Sequence, residues 1–364
     1  MRIVLLQNMF YEPAVGGANR SSRLWMEQLA ARGHECLVLA RAGDGGAAEE
    51  KTISKVRVRF APGRALPSAA ARLVREARPD WVLVPSDDPG QLMLGAALAF
   101  APGRVVYVTH TIQQLPFGPN AFYPSTAGTA LLRKVAGVIS VSDAAARHLL
   151  RHAGIAATVI KPHVYRLPPS DAPAIRREHV LMVNPCDVKG ISIFLALADA
   201  FPSRRFMAIP TWGTNGDDLA ALRRRPHVVI QRPVADLSPI LASARVLLMP
   251  SLWDETFGYT CVEAMAHGVP VIATEIAGLV EAKLGVPYSL PVRPIKEYRR
   301  SAGELVATVP EQPLEPWKHT LSHLLSEPAV YEDVSARSRA AAHAFITSLD
   351  PRALEQYLTS LEVA

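Results

Sequence analysis

Short apolar runs rich in valine, isoleucine and leucine recur along the whole chain, and between most of them lie roughly 10 to 16 residues with helical spacing. The runs are Ile3 to Leu6, Cys36 to Ala40, Val56 to Phe60, Trp81 to Val84, Val105 to Val108, Val138 to Val141, Val180 to Val183, Phe206 to Ile209, Val228 to Ile230, Val246 to Met249 and Val271 to Ala273. The segments between them, such as Ala18 to Ala31 and Ile191 to Ala200, are rich in alanine, leucine and arginine. Apolar runs without strict alternation are buried on both faces, so the pattern predicts parallel sheets covered by helices on each side. One open sheet of so many strands is disfavoured, and 364 residues exceed the usual size of one core. Two doubly wound α/β domains are therefore expected. The stretch from Lys161 to Ile175, with four prolines, separates the two series and reads as the linker. After about Leu290 the pattern turns helical and polar, ending in an expected helix over Pro351 to Val363.

Composition narrows the classes further. With 49% apolar and 20% charged residues and no low-complexity run, the chain can bury large cores, which excludes disorder, collagen and coiled coil. The 39 basic and 33 acidic residues leave +6, too diffuse an excess for dedicated nucleic-acid binding. Cys36, Cys186 and Cys261 are far apart and odd in number, so neither a disulfide framework nor a zinc site is indicated, and a reducing, cytoplasmic setting is expected. The first apolar run is too short for a signal-peptide core, and Leu92 to Ala101 is about half the length of a membrane span. A soluble protein is expected, with weak membrane-surface association left open.

Four constellations stand at strand ends. After Ile3 to Leu6 comes QNMFYEPAV, then Gly16 and Gly17 before a helix, an arrangement that suits either an anion held by backbone N–H groups or a plain turn. After Val246 to Met249, Glu255 sits in a loop, Gly258, Tyr259 and Thr260 open a helix, and Glu263 lies within it. Eight residues at about 100° each separate Glu255 and Glu263 by about 80° on a continuous helix, so they converge only if Glu255 is in the loop. Carboxylates repel phosphates and accept from hydroxyls, which points to a ligand whose phosphates are flanked by sugars; the alternative is two solvated first-turn acids. Lys189 and Gly190 precede another helix, where an ammonium can meet a diphosphate or simply face water. His110 ends the run Val105 to Val108 and can bond either a ligand or a nearby carbonyl. Asp87 with Asp88, and Asp217 with Asp218, read as helix N-caps, and no metal or triad motif occurs.

Taken together, Gly16-Gly17, His110, Lys189-Gly190 and the Glu255-x7-Glu263 segment stand in the order and strand-end context of retaining glycosyltransferases of sequence family 4, which this chain resembles over nearly its whole length. The most specific stretch is LLMPSLWDETFGYTCVEAMAHGVPVIATEIAGLVE. The resemblance implies the GT-B fold: two Rossmann-like domains, 1–165 on the acceptor side and 166–345 on the sugar-nucleotide side, facing a cleft, with a terminal helix, 346–364, crossing back to the first. It implies that Glu263 holds the ribose hydroxyls and Glu255 a sugar hydroxyl. The backbone of Phe257, Gly258, Tyr259 and Thr260 would face phosphates and sugar, and Lys189 with Gly190 the diphosphate. Gly16 and Gly17 would approach the distal phosphate, His110 the sugar, and Val234 the base. Asn184 stands where the family often has an arginine; Arg20 or Arg232 are the candidates to replace it.

The expected activity is metal-independent retaining transfer of a hexose-type sugar from a nucleoside-diphosphate sugar to a small-molecule hydroxyl, with no cofactor. Alternatives are a lipid or polysaccharide acceptor at a membrane surface, an epimerase of the same fold, or a non-catalytic sugar-nucleotide binder. The segment Thr111 to Ser125 is expected to border the acceptor, and its Phe117, Phe122 and Tyr123 suit either an apolar aglycone or the core. The donor base, the acceptor's identity and the oligomeric state stay open.

Overall fold

The computed structural model describes residues 1–9, 11–12, 14, 16–43, 46, 48–169, 177–301 and 304–361. The chain divides into two compact units, Met1–Val164 with Leu349–Ala364, and Tyr165–Ser348. Within the expected linker, residues 170–175 lie outside the described residues, as do 362–363 of the expected terminal helix.

The first unit is built on β1 (Arg2–Leu6), β2 (Glu35–Arg41), β3 (Glu49–Ile53), β4 (Val56–Ala61), β5 (Trp81–Pro85), β6 (Val105–Thr109), β7 (Gly137–Ser140) and β8 (Thr158–Val159). They form one sheet in the order β3-β4-β2-β1-β5-β6-β7-β8, parallel except for β3, which pairs antiparallel with β4. Its helices are α1 (Gly17–Ala31), α2 (Leu66–Ala77), α3 (Leu92–Phe100), α4 (Thr126–Leu132), α5 (Asp143–Ala153) and, from the chain's end, α13 (Ala353–Ser360). Because side chains alternate along a strand, β1 feeds two cores. Ile3 and Leu5 meet Trp25, Met26 and Leu29 of α1 and Leu354 and Leu358 of α13. Val4 and Leu6 meet Leu73 and Val74 of α2 and Met93 and Leu94 of α3.

The second unit repeats the plan with β9 (His179–Val183), β10 (Arg205–Ile209), β11 (Val228–Ile230), β12 (Ala244–Met249), β13 (Val271–Thr274) and β14 (Ser289–Leu290). These lie in the order β11-β10-β9-β12-β13-β14, all parallel. They are joined by α6 (Ile191–Ala200), α7 (Gly216–Arg223), α8 (Ser238–Ser243), α9 (Tyr259–Ala266) and α10 (Ala277–Ala282), and followed by α11 (Glu315–Ser326) and α12 (Pro328–Ser348). In both units the order steps one way from the first strand and then reverses, which opens a crevice at the carboxyl ends: between β1 and β5, and between β9 and β12.

Every expected apolar run falls on a strand, with Val141 one residue past the end of β7. The region after Leu290 departs from the expected helical pattern, because an antiparallel hairpin, β15 (Tyr298–Ser301) with β16 (Glu304–Ala307), precedes α11. The two acidic pairs are also more varied than N-caps. Asp88 accepts from the Met93 and Leu94 N–H groups at the start of α3, whereas Asp87 accepts from the Asn8 N–H. Burial pushes the Asp87 carboxyl up to about 7. At α7 the N-cap is Asn215, and Asp218 completes the capping box.

Lys283, just after α10, is 1% exposed and donates to the Val271 carbonyl at 2.5 Å. Burial pulls its pKa down to about 8. Between that pH and the ordinary lysine value of about 10.4, the unfolded chain holds a proton that the folded chain has lost, so stability rises with pH across this window. Lys283→Met is expected to gain about 1–3 kcal/mol at pH 7 and to flatten that rise. Urea unfolding at pH 7 and pH 10 checks this; a variant that is less stable at pH 7 and keeps the wild-type slope refutes it.

Candidate functional site

In the second unit, β9 ends at Val183 and the chain turns at Asn184, whose φ is +58°. A single 3-10 turn, Asp187–Lys189, follows, and Gly190 caps α6 at φ +78°. A side chain at 190 would overlap the Pro250 carbonyl at the end of β12, so glycine is required both by φ and by close approach. The two loops are stitched further by the Leu252 N–H donating to the Val188 carbonyl at 2.9 Å. The β12 loop is also held by Gly278 N–H to the Glu255 carbonyl and Ile295 N–H to the Leu252 carbonyl.

This frame sets Lys189 against Glu255. Glu255 Oε1 accepts from Lys189 Nζ at 2.5 Å, Ser251 Oγ at 2.5 Å and Trp253 Nε1 at 3.1 Å. No described residue donates to Oε2. Burial is the largest single influence on the Glu255 carboxyl and pushes its pKa up. The Lys189 charge and the three hydrogen bonds together outweigh it and hold the pKa below the usual value. An ionised carboxylate that is 13% exposed, with one oxygen saturated and the other open to a ligand, is suited to accept a hydroxyl. The Lys189 ammonium also lies 4.9 Å from the Trp253 ring and 5.9 Å from the Trp212 ring.

Glu255 lies in the loop, as convergence with Glu263 requires, and Glu263 is half-buried on α9. Gly258 precedes α9 at φ +122° and supplies no side-chain cap. Gly258, Tyr259 and Thr260 stand at the start of α9, three to five residues after Glu255, where the first N–H groups of a helix have no acceptor within it. Phe257 is buried, stacked on Phe345 and tilted against Tyr259, so only its backbone is available to a ligand. Val234 and Arg232 are exposed in the loop after β11. Asn184 is 5% exposed, and its Oδ1 accepts the Gly213 N–H at 3.0 Å. The sequence did not single out Ser251, Trp253 or Trp212. The first two lie within the quoted β12 segment, whereas Trp212 carries no local signal.

In the first unit, Gly16 caps α1 at φ +89° and Gly17 is its first residue. Positions 10, 13 and 15 of the loop before them lie outside the described residues. His110 follows β6 and is 8% exposed, with Ser22 Oγ 3.1 Å from Nε2 and Ser21 Oγ 3.4 Å from Nδ1. Burial pulls its pKa down to about 4, so the imidazole is neutral at pH 7. Phe117 is a core residue, while Phe122 and Tyr123 meet edge-on, with Tyr123 exposed. Arg20 donates to the Val164 carbonyl.

Sequence models of two families match the chain: Glycosyltransferase Family 4 over residues 15–164 and Glycosyl transferases group 1 over residues 179–290. The chain belongs to glycosyltransferase family 4. Comparison with curated proteins finds no match. Among solved structures, HepE of Anabaena in complex with UDP and glucose is 18% identical, with a TM-score of 0.73 over 99% of this chain and 100% of that one. A glycosyltransferase of Rickettsia africae is 15% identical, with a TM-score of 0.68 over 99% of each chain. WaaG, a glycosyltransferase of lipopolysaccharide biosynthesis, is 14% identical, with a TM-score of 0.64 over the full length of both. The glycosyltransferase thus has the GT-B fold. Among its described residues no helix is long and apolar enough to cross a membrane.

Gly190→Ala in this glycosyltransferase is expected to cost about 1–3 kcal/mol or more, the scale of a strained backbone position. A urea midpoint unchanged from wild type would contradict the close approach at Pro250. For His110, the folded pKa lies below the ordinary histidine value, so stability should fall as the pH drops from about 6.5 toward 4. His110→Gln should flatten that acid limb, and an equally steep limb in the variant counts against a buried neutral imidazole.

Proposed function

We propose that the protein transfers a hexose-type sugar from a nucleoside-diphosphate sugar to a hydroxyl of a small-molecule acceptor, with retention at the anomeric carbon and without a bound metal. The observation that carries this reading is the Lys189 and Glu255 pair beside the start of α9. Glu255 holds the ammonium in place; a diphosphate would draw Lys189 to itself and leave the carboxylate to a sugar hydroxyl. The amides of Gly258, Tyr259 and Thr260 would add fixed dipoles where charge grows on the leaving phosphate. An acceptor hydroxyl then attacks from the face that the nucleotide leaves, and the departing phosphate oxygen takes its proton, so no protein nucleophile is needed.

Glu263 would grip the ribose and Val234 border the base, with Gly16, Gly17 and His110 belonging to the acceptor-side unit. HepE, of the same fold, was solved with UDP and glucose, which favours a uridine donor over guanosine or adenosine.

Lys189→Ala is expected to lower turnover about 100-fold or more, on the scale of losing one preorganised electrostatic group. Turnover within about threefold of wild type would refute the assignment, being far below that scale. Release of nucleoside diphosphate on adding acceptor, with the anomeric configuration of the product read by NMR coupling, tests transfer and retention together. Sugar-nucleotide conversion without acceptor would indicate an epimerase instead.

A further inference from the structure

We infer that Trp212 and Trp253 form a stacking wall for the hexose ring of the donor, which makes Trp212 a specificity-determining residue. The inference rests on the transferase reading above. The two indole rings lie 6.0 Å apart at 39°, and both flank the Lys189 ammonium. Trp253 is also tied to the site through its Nε1 bond to Glu255 Oε1.

Trp212 is 61% exposed, a costly position for a large aromatic side chain. It is held there by its loop. The Gly213 N–H bonds Asn184 Oδ1, and a Cβ at 213 would lie 2.7 Å from Cys186 Sγ and 3.1 Å from Asn184 Oδ1. The residue standing in the place of the family's arginine therefore acts as the anchor of an aromatic loop. A cation–π role alone does not account for Trp212. The ammonium is already paired with Glu255 and nearer Trp253, and 5.9 Å is close to the limit of about 6 Å for such an attraction.

The C–H face of a pyranose is apolar and weakly positive, and it complements the negative face of an indole. The part of the donor nearest Trp253 is the part held by Glu255, which is the sugar. Base and ribose are assigned to Val234 and Glu263, on the loop after β11 and on α9.

The test is calorimetric titration of wild type, Trp212→Ala and Trp212→Phe with UDP and with UDP-glucose, or with the GDP or ADP pair if thermal shift selects those. Trp212→Ala is expected to weaken the sugar nucleotide about tenfold while leaving the diphosphate within about twofold, and Trp212→Phe to stay within about threefold for both, as loss or retention of one stacking face requires. Equal weakening of both ligands, or no change in either, overturns the inference while the transferase reading stands. Wild type that binds none of the diphosphates or their glucose conjugates overturns both.

Discussion

At the crevice between β9 and β12, the carbonyl of Pro250 occupies the space in which any side chain at position 190 would sit. That close approach brings the turn after β9 and the loop after β12 within hydrogen-bonding reach, and everything chemical in the second unit follows from it. Lys189 closes the single 3-10 turn before the glycine, Glu255 lies in a loop five residues beyond Pro250, and neither is on a strand or an α-helix. Their meeting is therefore set by the backbone contact and by the Val188 to Leu252 bond, not by helical or strand geometry. The strand order that places β9 next to β12 is in turn the reversal point of a doubly wound sheet.

The electrostatics of the pair follow from which oxygen is used. Three donors meet a single oxygen of Glu255. Burial alone would favour the neutral acid, but the lysine and the hydrogen bonds keep it ionised. A carboxylate next to a diphosphate site would ordinarily repel the ligand. Here its charge is offset by Lys189, and under the proposed function an ammonium and helix amides would face phosphate while a single carboxylate oxygen would face hydroxyls. Such an arrangement would separate the two halves of a sugar nucleotide by chemistry rather than by shape.

The long buried strands were legible in the sequence because both of their faces are apolar. Glycine before helix α1 and before α9 was legible because positive φ selects it. What escaped was of two kinds. β3, EEKTI, is an exposed edge strand whose polar composition conceals its pairing with β4, and the β15 and β16 hairpin likewise interrupts what reads as a helical region. The other kind is contact between residues distant along the chain. Trp212 gains a role only because Gly213 bonds Asn184, and no local pattern encodes that. The same limit applies to Asp87 and Asp88, which are adjacent in sequence yet bound to opposite neighbours, β1's end and α3.

The histidine illustrates how far a residue type alone constrains function. A histidine at the carboxyl end of a strand can serve a ligand or the interior, and sequence weighs these equally. In the first unit both ring nitrogens lie near serine hydroxyls of α1 and the ring packs at 5.9 Å against Trp25. Burial lowers its proton affinity, so it is a neutral hydrogen-bonding group at physiological pH and not a cation for phosphate. On the proposed reading, any contact it makes with a sugar is that of a single donor or acceptor, and the positive charge toward a diphosphate comes from other groups, Lys189 among them. On that reading the leaving-group chemistry belongs to the second unit and selection of the acceptor to the first.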